Sequence, residues 1–124
     1  MIAADSSTLI AYIQTDAGED VALLDAALLA GQAVLPPVVL AEVLSDPHLP
    51  PGHAALIQEI KLLELMDGYW QRVAQLRVKL ISRKLRAPMA DAMIAQSCID
   101  HDVPLITRDA DFRHFAKHCG LKLA

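Results

Sequence analysis

Pro104-Leu105-Ile106-Thr107-Arg108-Asp109-Ala110-Asp111-Phe112 is the stretch from which the fold can be read. Leu105-Ile106 reads as a short buried strand that stops at a polar, acidic turn. Phe112, Phe115 and Ala116 recur at helical spacing, which predicts a helix directly after the turn. Asp109 and Asp111 are thereby presented at the carboxyl end of a strand. In open parallel α/β sheets, ligands bind at that edge. The plainer alternative is that either Asp caps the helix, a common use of Asp.

The same pattern recurs upstream. Met1 to Ala4 reads as a first strand ending at Asp5, and Ser6-Ser7-Thr8 then open a helix. Asp20 to Leu29 is helical and stops at Gly31. Ala33-Val34-Leu35 reads as a second strand. Pro36 and Pro37 open an apolar helix running to Leu44, with Glu42 inside it. Asp46 to Pro51 is a loop, which makes His48 and His53 exposed loop residues, and Ala54 to Ile60 is a short helix. A third strand is expected at Leu62 to Met66. Gly68 to Arg86 reads as one long amphipathic helix, with Trp70, Val73, Leu76, Leu80 and Ile81 on its apolar side. Met89 to His101 forms another helix with Asp91 in its first turn. Leu121 to Leu123 is a candidate edge strand. Strands alternating with helices imply a parallel sheet joined by right-handed crossovers, in one α/β domain spanning 1–124.

The acids then share an edge. Asp5 and Asp109 each follow a strand, and Glu42 lies about two turns into the helix after the second. Each has a structural alternative: a cap for Asp5, a solvent-facing edge for Glu42, a favourable helix dipole for Asp91. Gathered together, these carboxylates repel and raise one another's pKa values, which a divalent cation relieves. All-oxygen ligands select Mg²⁺ or Mn²⁺ over zinc. His114 and His118 are four apart on the last helix but lack a third zinc ligand.

Composition bounds the rest. Of the 124 residues, 54% are hydrophobic, enough for a real core, while aromatics are only 4%, so the core is expected to be aliphatic. No stretch is long and apolar enough to span a bilayer. Met1-Ile2-Ala3-Ala4 lacks the basic start of a signal peptide, so a cytoplasmic protein is expected. Cys98 and Cys119 are too few for a disulfide scaffold. The net charge of −4 is unevenly spread. Residues 1–60 hold 8 of the 15 acids and no Lys or Arg; 6 of the 11 basic residues fall between Arg72 and Arg86. A basic face beside an acidic pocket suits a metal-dependent enzyme acting on a polyanion.

At this point the chain resembles the PIN-domain ribonucleases, in particular the VapC toxins of bacterial toxin–antitoxin pairs. The resemblance rests on Asp5-Ser6-Ser7, on Pro37-Val38-Val39-Leu40-Ala41-Glu42-Val43, on Ala90-Asp91-Ala92-Met93-Ile94-Ala95, and on Leu105 to Phe112. It implies a three-layer α/β/α fold around a central parallel sheet of about five strands in the order 3-2-1-4-5. It implies an acidic site of Asp5, Glu42, Asp91 and Asp109 holding Mg²⁺ or Mn²⁺, supported by Ser7, Thr107 and Asp111. The implied activity is hydrolysis of RNA phosphodiesters, with Arg108, Arg83 and Arg86 as candidate RNA contacts. A homodimer and a cognate antitoxin are the implied partners. The short, Pro-rich segment between Glu42 and Leu62 departs from the toxins, where this region often forms a helical arm. The competing readings are a DNA nuclease, a non-catalytic metal- or partner-binding module, and a receiver-like phosphate acceptor. The last is disfavoured because no Lys follows the strand at Leu105 to Thr107.

Overall fold

The computed structural model describes all 124 residues. Its elements alternate as the sequence implies: β1 (Ile2–Ala4), α1 (Ser6–Ile13), α2 (Glu19–Leu29), β2 (Ala33–Leu35), α3 (Pro37–Leu44), α4 (Pro51–Gln58), β3 (Lys61–Leu62), α5 (Tyr69–Ile81), α6 (Met89–His101), β4 (Leu105–Ile106) and α7 (Phe112–Cys119). The four strands form one sheet in the order β3-β2-β1-β4, with every pair parallel. Leu123 adds a single parallel bridge to Leu105, so the expected fifth strand is reduced to one residue beyond β4. Gly120 ends α7 in the left-handed region (φ 82°), which lets the tail turn back beside β4.

The central strands are buried on both faces, which is why they read as unbroken apolar runs. Ala3, Ala4, Val34, Leu35, Leu105 and Ile106 are all essentially inaccessible. Around them lies one core of 25 buried residues, mostly aliphatic, in which the Phe112 and Phe115 rings meet at a tilt with centroids 5.7 Å apart. Because all strands point the same way, the ends of β1, β2 and β4 share one edge. Asp5 is locked there by its own backbone, whose N–H donates to the Ile106 carbonyl at 3.2 Å.

Four details differ from the sequence expectation. The third strand is Lys61–Leu62, earlier than Leu62 to Met66, because its pairing with Val34 and Leu35 is spent by Leu62. α5 stops at Ile81, with Lys84 at φ 61° turning the chain, so Arg83 and Arg86 lie beyond the helix. The buried stripe of α5 is Tyr69, Val73, Leu76 and Leu80; Trp70 and Ile81 are more than half exposed. His53 is half-buried inside α4, not in a loop, and its Nδ1 has no partner. α5 is tied to α6 at two places: Arg72 forms a bidentate pair with Asp100 (2.9 and 2.6 Å) near the end of α6, and the Tyr69 hydroxyl donates to the Met93 carbonyl at 2.7 Å.

Candidate metal centre

Asp5 is both a cap and a site residue. Its Oδ1 accepts the Thr8 backbone N–H at 3.0 Å, capping α1. The Ser7 hydroxyl donates to both carboxylate oxygens (2.8 and 2.9 Å), and the Thr107 hydroxyl donates to Oδ2. Thr107 Oγ1 in turn accepts the Asp109 backbone N–H at 3.0 Å. One hydroxyl therefore joins the ends of β1 and β4 and sets where Asp109 begins. Burial raises the Asp5 pKa despite these bonds, and Asp109 adds to the rise.

Asp109 also accepts the Asp111 backbone N–H at 2.9 Å, an Asx turn that starts α7. Asp111 makes no capping bond with its own side chain, which leaves it free to face its neighbours. Asp91, Asp109 and Asp111 each place a carboxylate oxygen within 4.8 Å of the others. Asp5 and Glu42 stand outside this tight trio yet act on it, for both raise the Asp91 pKa. Glu42 is exposed and accepts a hydrogen bond from Ser6 Oγ at 2.7 Å. How Asp91 reaches the site, which spacing alone does not give, is now plain: α6 starts at the strand-end edge.

Asp91 decides between the structural and functional readings. A first-turn Asp on a surface helix is stabilised as the anion by the helix dipole. Here the pKa is pushed up to about 6, by burial first and then by Asp109, Glu42, Asp111 and Asp5. The neighbouring charges and desolvation outweigh the dipole. Five carboxylates on four segments of chain thus converge, and their donor set is wholly oxygen, which fits Mg²⁺ or Mn²⁺. The field that raises Asp91 is what a divalent cation would relieve.

This has a measurable consequence for stability. Asp91 ionises near 3.8 when unfolded and near 6 when folded. Between those values the unfolded chain releases the proton first, so folding is progressively disfavoured as pH rises. Asp20, held at about 2 chiefly by its hydrogen bond from Arg108, acts oppositely, losing its contribution only as pH falls below about 3.8. A chelated sample is therefore expected to melt at lower temperature at pH 6.5 than at pH 4.5 (roughly the window those pKa values bound). Adding Mn²⁺ at pH 6.5 should reverse the loss. Melting curves at both pH values, with EDTA and with Mn²⁺, test this; a metal-free melting temperature that rises across the window contradicts it.

The basic candidates are placed differently. The Arg108 guanidinium is taken up by Asp20 (2.8 and 3.0 Å) and the Ala17 carbonyl. Asp20 also accepts the hydroxyl of buried Thr8 at 3.0 Å. Arg108 thereby fastens the turn after β4 to the start of α2. Arg83 and Arg86 are exposed in the α5–α6 connection, which leads to Asp91. The Asp20–Arg108 pair was missed from sequence, since 88 residues separate its members. A cleft of about 1050 Å³ lies away from the acids, between α1, α2 and α4, lined by apolar Leu9, Ile13, Val21, Leu28, Leu56 and Ile57.

The chain is thus an α/β protein with a short parallel sheet and, at the strand-end edge, a cluster of carboxylates that could hold a metal ion. The chain matches the PIN domain family model over residues 2–118, and it belongs to the PIN-domain family. Among solved structures it is similar to VapBC2 from Rickettsia felis bound to a DNA fragment from their promoter, with TM-score 0.77 at 16% identity, covering 100% of this chain and 98% of that one. It is also similar to FitAcB from Neisseria gonorrhoeae, with TM-score 0.66 at 19% identity, covering 99% and 96%. No curated protein matches it in sequence. No helix is long and apolar enough to cross a membrane.

Proposed function

We propose that this chain is a divalent-metal-dependent ribonuclease of the VapC toxin type, neutralised by a cognate antitoxin. The observation that carries the reading is the convergence of Asp91, Asp109 and Asp111, with carboxylate oxygens within 4.8 Å of one another and Asp5 and Glu42 close enough to act on Asp91. A fold that needed only helix caps would not concentrate like charges in this way, because each close pair costs energy. Family membership supports a nuclease, and the similar structures support a toxin with a protein partner.

In this reading Asp91, Asp109 and Asp111 hold Mg²⁺ or Mn²⁺, with Asp5 and Glu42 completing the negative field. When bound, the ion would supply Lewis-acid polarisation of the scissile phosphate and offset charge developing there. Ser7, Thr8 and Thr107 keep Asp5 from rotating, and such fixed geometry avoids reorganisation during reaction. Arg108 holds the Asp109 turn through Asp20 and leaves phosphate contact to other cations. The apolar cleft between α1, α2 and α4 suits an amphipathic antitoxin segment, since an apolar groove receives the apolar face of a helix. A homodimer remains part of the reading on the resemblance alone.

End-labelled RNA incubated with Mg²⁺ or Mn²⁺ is expected to be cut, and EDTA should abolish cutting. Products are expected to carry 5′-phosphate and 3′-hydroxyl ends. Equal cutting of single-stranded DNA of the same sequence would transfer the reading to a DNA nuclease. Cutting that persists in EDTA would overturn it.

A further inference from the structure

A second charged feature flanks the acidic site. From Gly68 to Ala90, and again from Phe112 to Ala124, the sequence has no Asp or Glu, and these segments hold nine of the 11 Lys and Arg. They contain α5 and α7, which pack against each other. Three of the nine are engaged within the fold: Arg72 by Asp100, Lys122 by Asp102, and Arg77 by the Ala87 carbonyl. Lys79, Arg83 and Lys117 are exposed and have no carboxylate partner.

These cations share one surface. His118 of α7 is held below its ordinary pKa by burial, then by Arg83, Lys117, His114 and Lys79, so the charges of both helices surround it. Lys79 and Arg83 act on neighbouring Cys119 as well. Lys79 near the end of α5 and Arg83 just past it both face α7, since both act on His118 and Cys119. No carboxylate of the chain pairs with either, which leaves both free to take an external anion. The surface also meets the acidic site at two places: the segment after Arg83 leads to Asp91, and α7 starts at Asp111. Five carboxylates repel a polyanion, so its affinity has to be supplied beside them rather than by them.

We propose that the α5–α7 face, centred on Lys79, Arg83, His114, Lys117 and His118, is the track along which the phosphate backbone of a single-stranded polynucleotide runs from the acidic site. The polynucleotide is RNA on the reading above, and the proposal rests on that reading for the identity of the strand. The exposed ammonium and guanidinium groups contact phosphates without reading bases, so the track sets affinity and register rather than sequence preference.

The test is binding of a short labelled single-stranded RNA in EDTA, across a range of salt, to the wild type and to the Lys79→Gln/Arg83→Gln/Lys117→Gln variant. For single strands each phosphate contact contributes about 0.7 to the slope of log affinity against log salt, so the variant should flatten the slope by about 2. Binding at low salt should weaken about tenfold or more. Lys61→Gln, an exposed cation on edge strand β3, should change neither quantity. A melting curve confirms that the triple variant folds, since its three positions are exposed and unpaired. An unchanged slope overturns the proposal. Stronger binding of an acidic peptide than of RNA at equal charge would also overturn it, giving the surface to an acidic protein partner. A protein that binds RNA here but never cuts it refutes only the nuclease reading. Cutting by the triple variant at unchanged KM refutes only the track.

Discussion

Asp91→Asn is expected to lower metal-dependent cutting by about 100- to 1000-fold, the usual cost of removing one preorganised electrostatic group, while making the metal-free protein more stable. The two effects have one cause. Asp91 shares a tight oxygen cluster with Asp109 and Asp111, so losing its charge weakens the set that would hold the ion. At neutral pH the same charge is a liability to the folded chain, since burial and four carboxylates raise its pKa to about 6. Asn keeps the shape and removes the repulsion. In EDTA at pH 7 the variant should melt a few degrees higher, roughly 3 °C for each kcal/mol in a domain of this size. With Mn²⁺ the order should invert, because the wild type gains more from the ion. If Asp91 were only a first-turn dipole partner, Asn would leave cutting intact and lower the melting temperature in both conditions. Paired melting curves and rate measurements on one preparation distinguish these outcomes, and stability gained at the expense of activity is the usual mark of a functional residue.

Phe115→Ala should cost about 3–5 kcal/mol of folding stability, the typical range for emptying an aromatic core site. Phe115 is fully buried, and its ring lies 5.7 Å from that of Phe112. A domain with roughly 5–15 kcal/mol in total would be left marginal. The damage should reach function, because Phe112 follows Asp111 directly and anchors the start of α7. Loosening that anchor frees the turn that places Asp109 and Asp111. Trp70→Ala is the contrasting case. Helical spacing puts Trp70 with the core, yet it is 56% exposed and touches Tyr69 edge-on at 5.0 Å. Its loss should cost only about 1 kcal/mol, the scale of one aromatic pair. Denaturant titration of both variants tests the contrast; comparable losses would show that Trp70 is held more firmly than its exposure indicates.

The two substitutions bear on how far a sequence can be read. The stripe of α5 was legible as amphipathic, but spacing allowed Trp70 and Ile81 to be counted inside. Helical period fixes which residues share a side, and only the packed neighbours fix how wide the buried part of that side is. The boundary of α5 was missed for a similar reason. Leu85 continues the apolar pattern, but Lys84 adopts a left-handed conformation that local propensity does not announce. β3 was displaced because a two-residue strand is defined by its pairing with Val34 and Leu35 rather than by its own composition.

The sequence by itself determined the class of the fold and the list of acids. Apolar runs that stop at Asp5, at Pro36 and at Thr107, separated by helical patterns, leave a parallel sheet as the simplest arrangement, and parallel strands put their ends on one edge. What the sequence left open was which acids touch. Asp91 lies 86 positions from Asp5, and no local rule says that α6 begins beside β1. Asp111, a candidate cap by its place before Phe112, makes no capping bond and joins Asp91 and Asp109. Arg108, a candidate phosphate ligand by its charge, is spent on Asp20. These outcomes depend on contacts between residues far apart in the chain. Periodicity and capping are local, whereas a pKa near 6 or an engaged guanidinium follows from distance in space, and that is settled only when the helices pack.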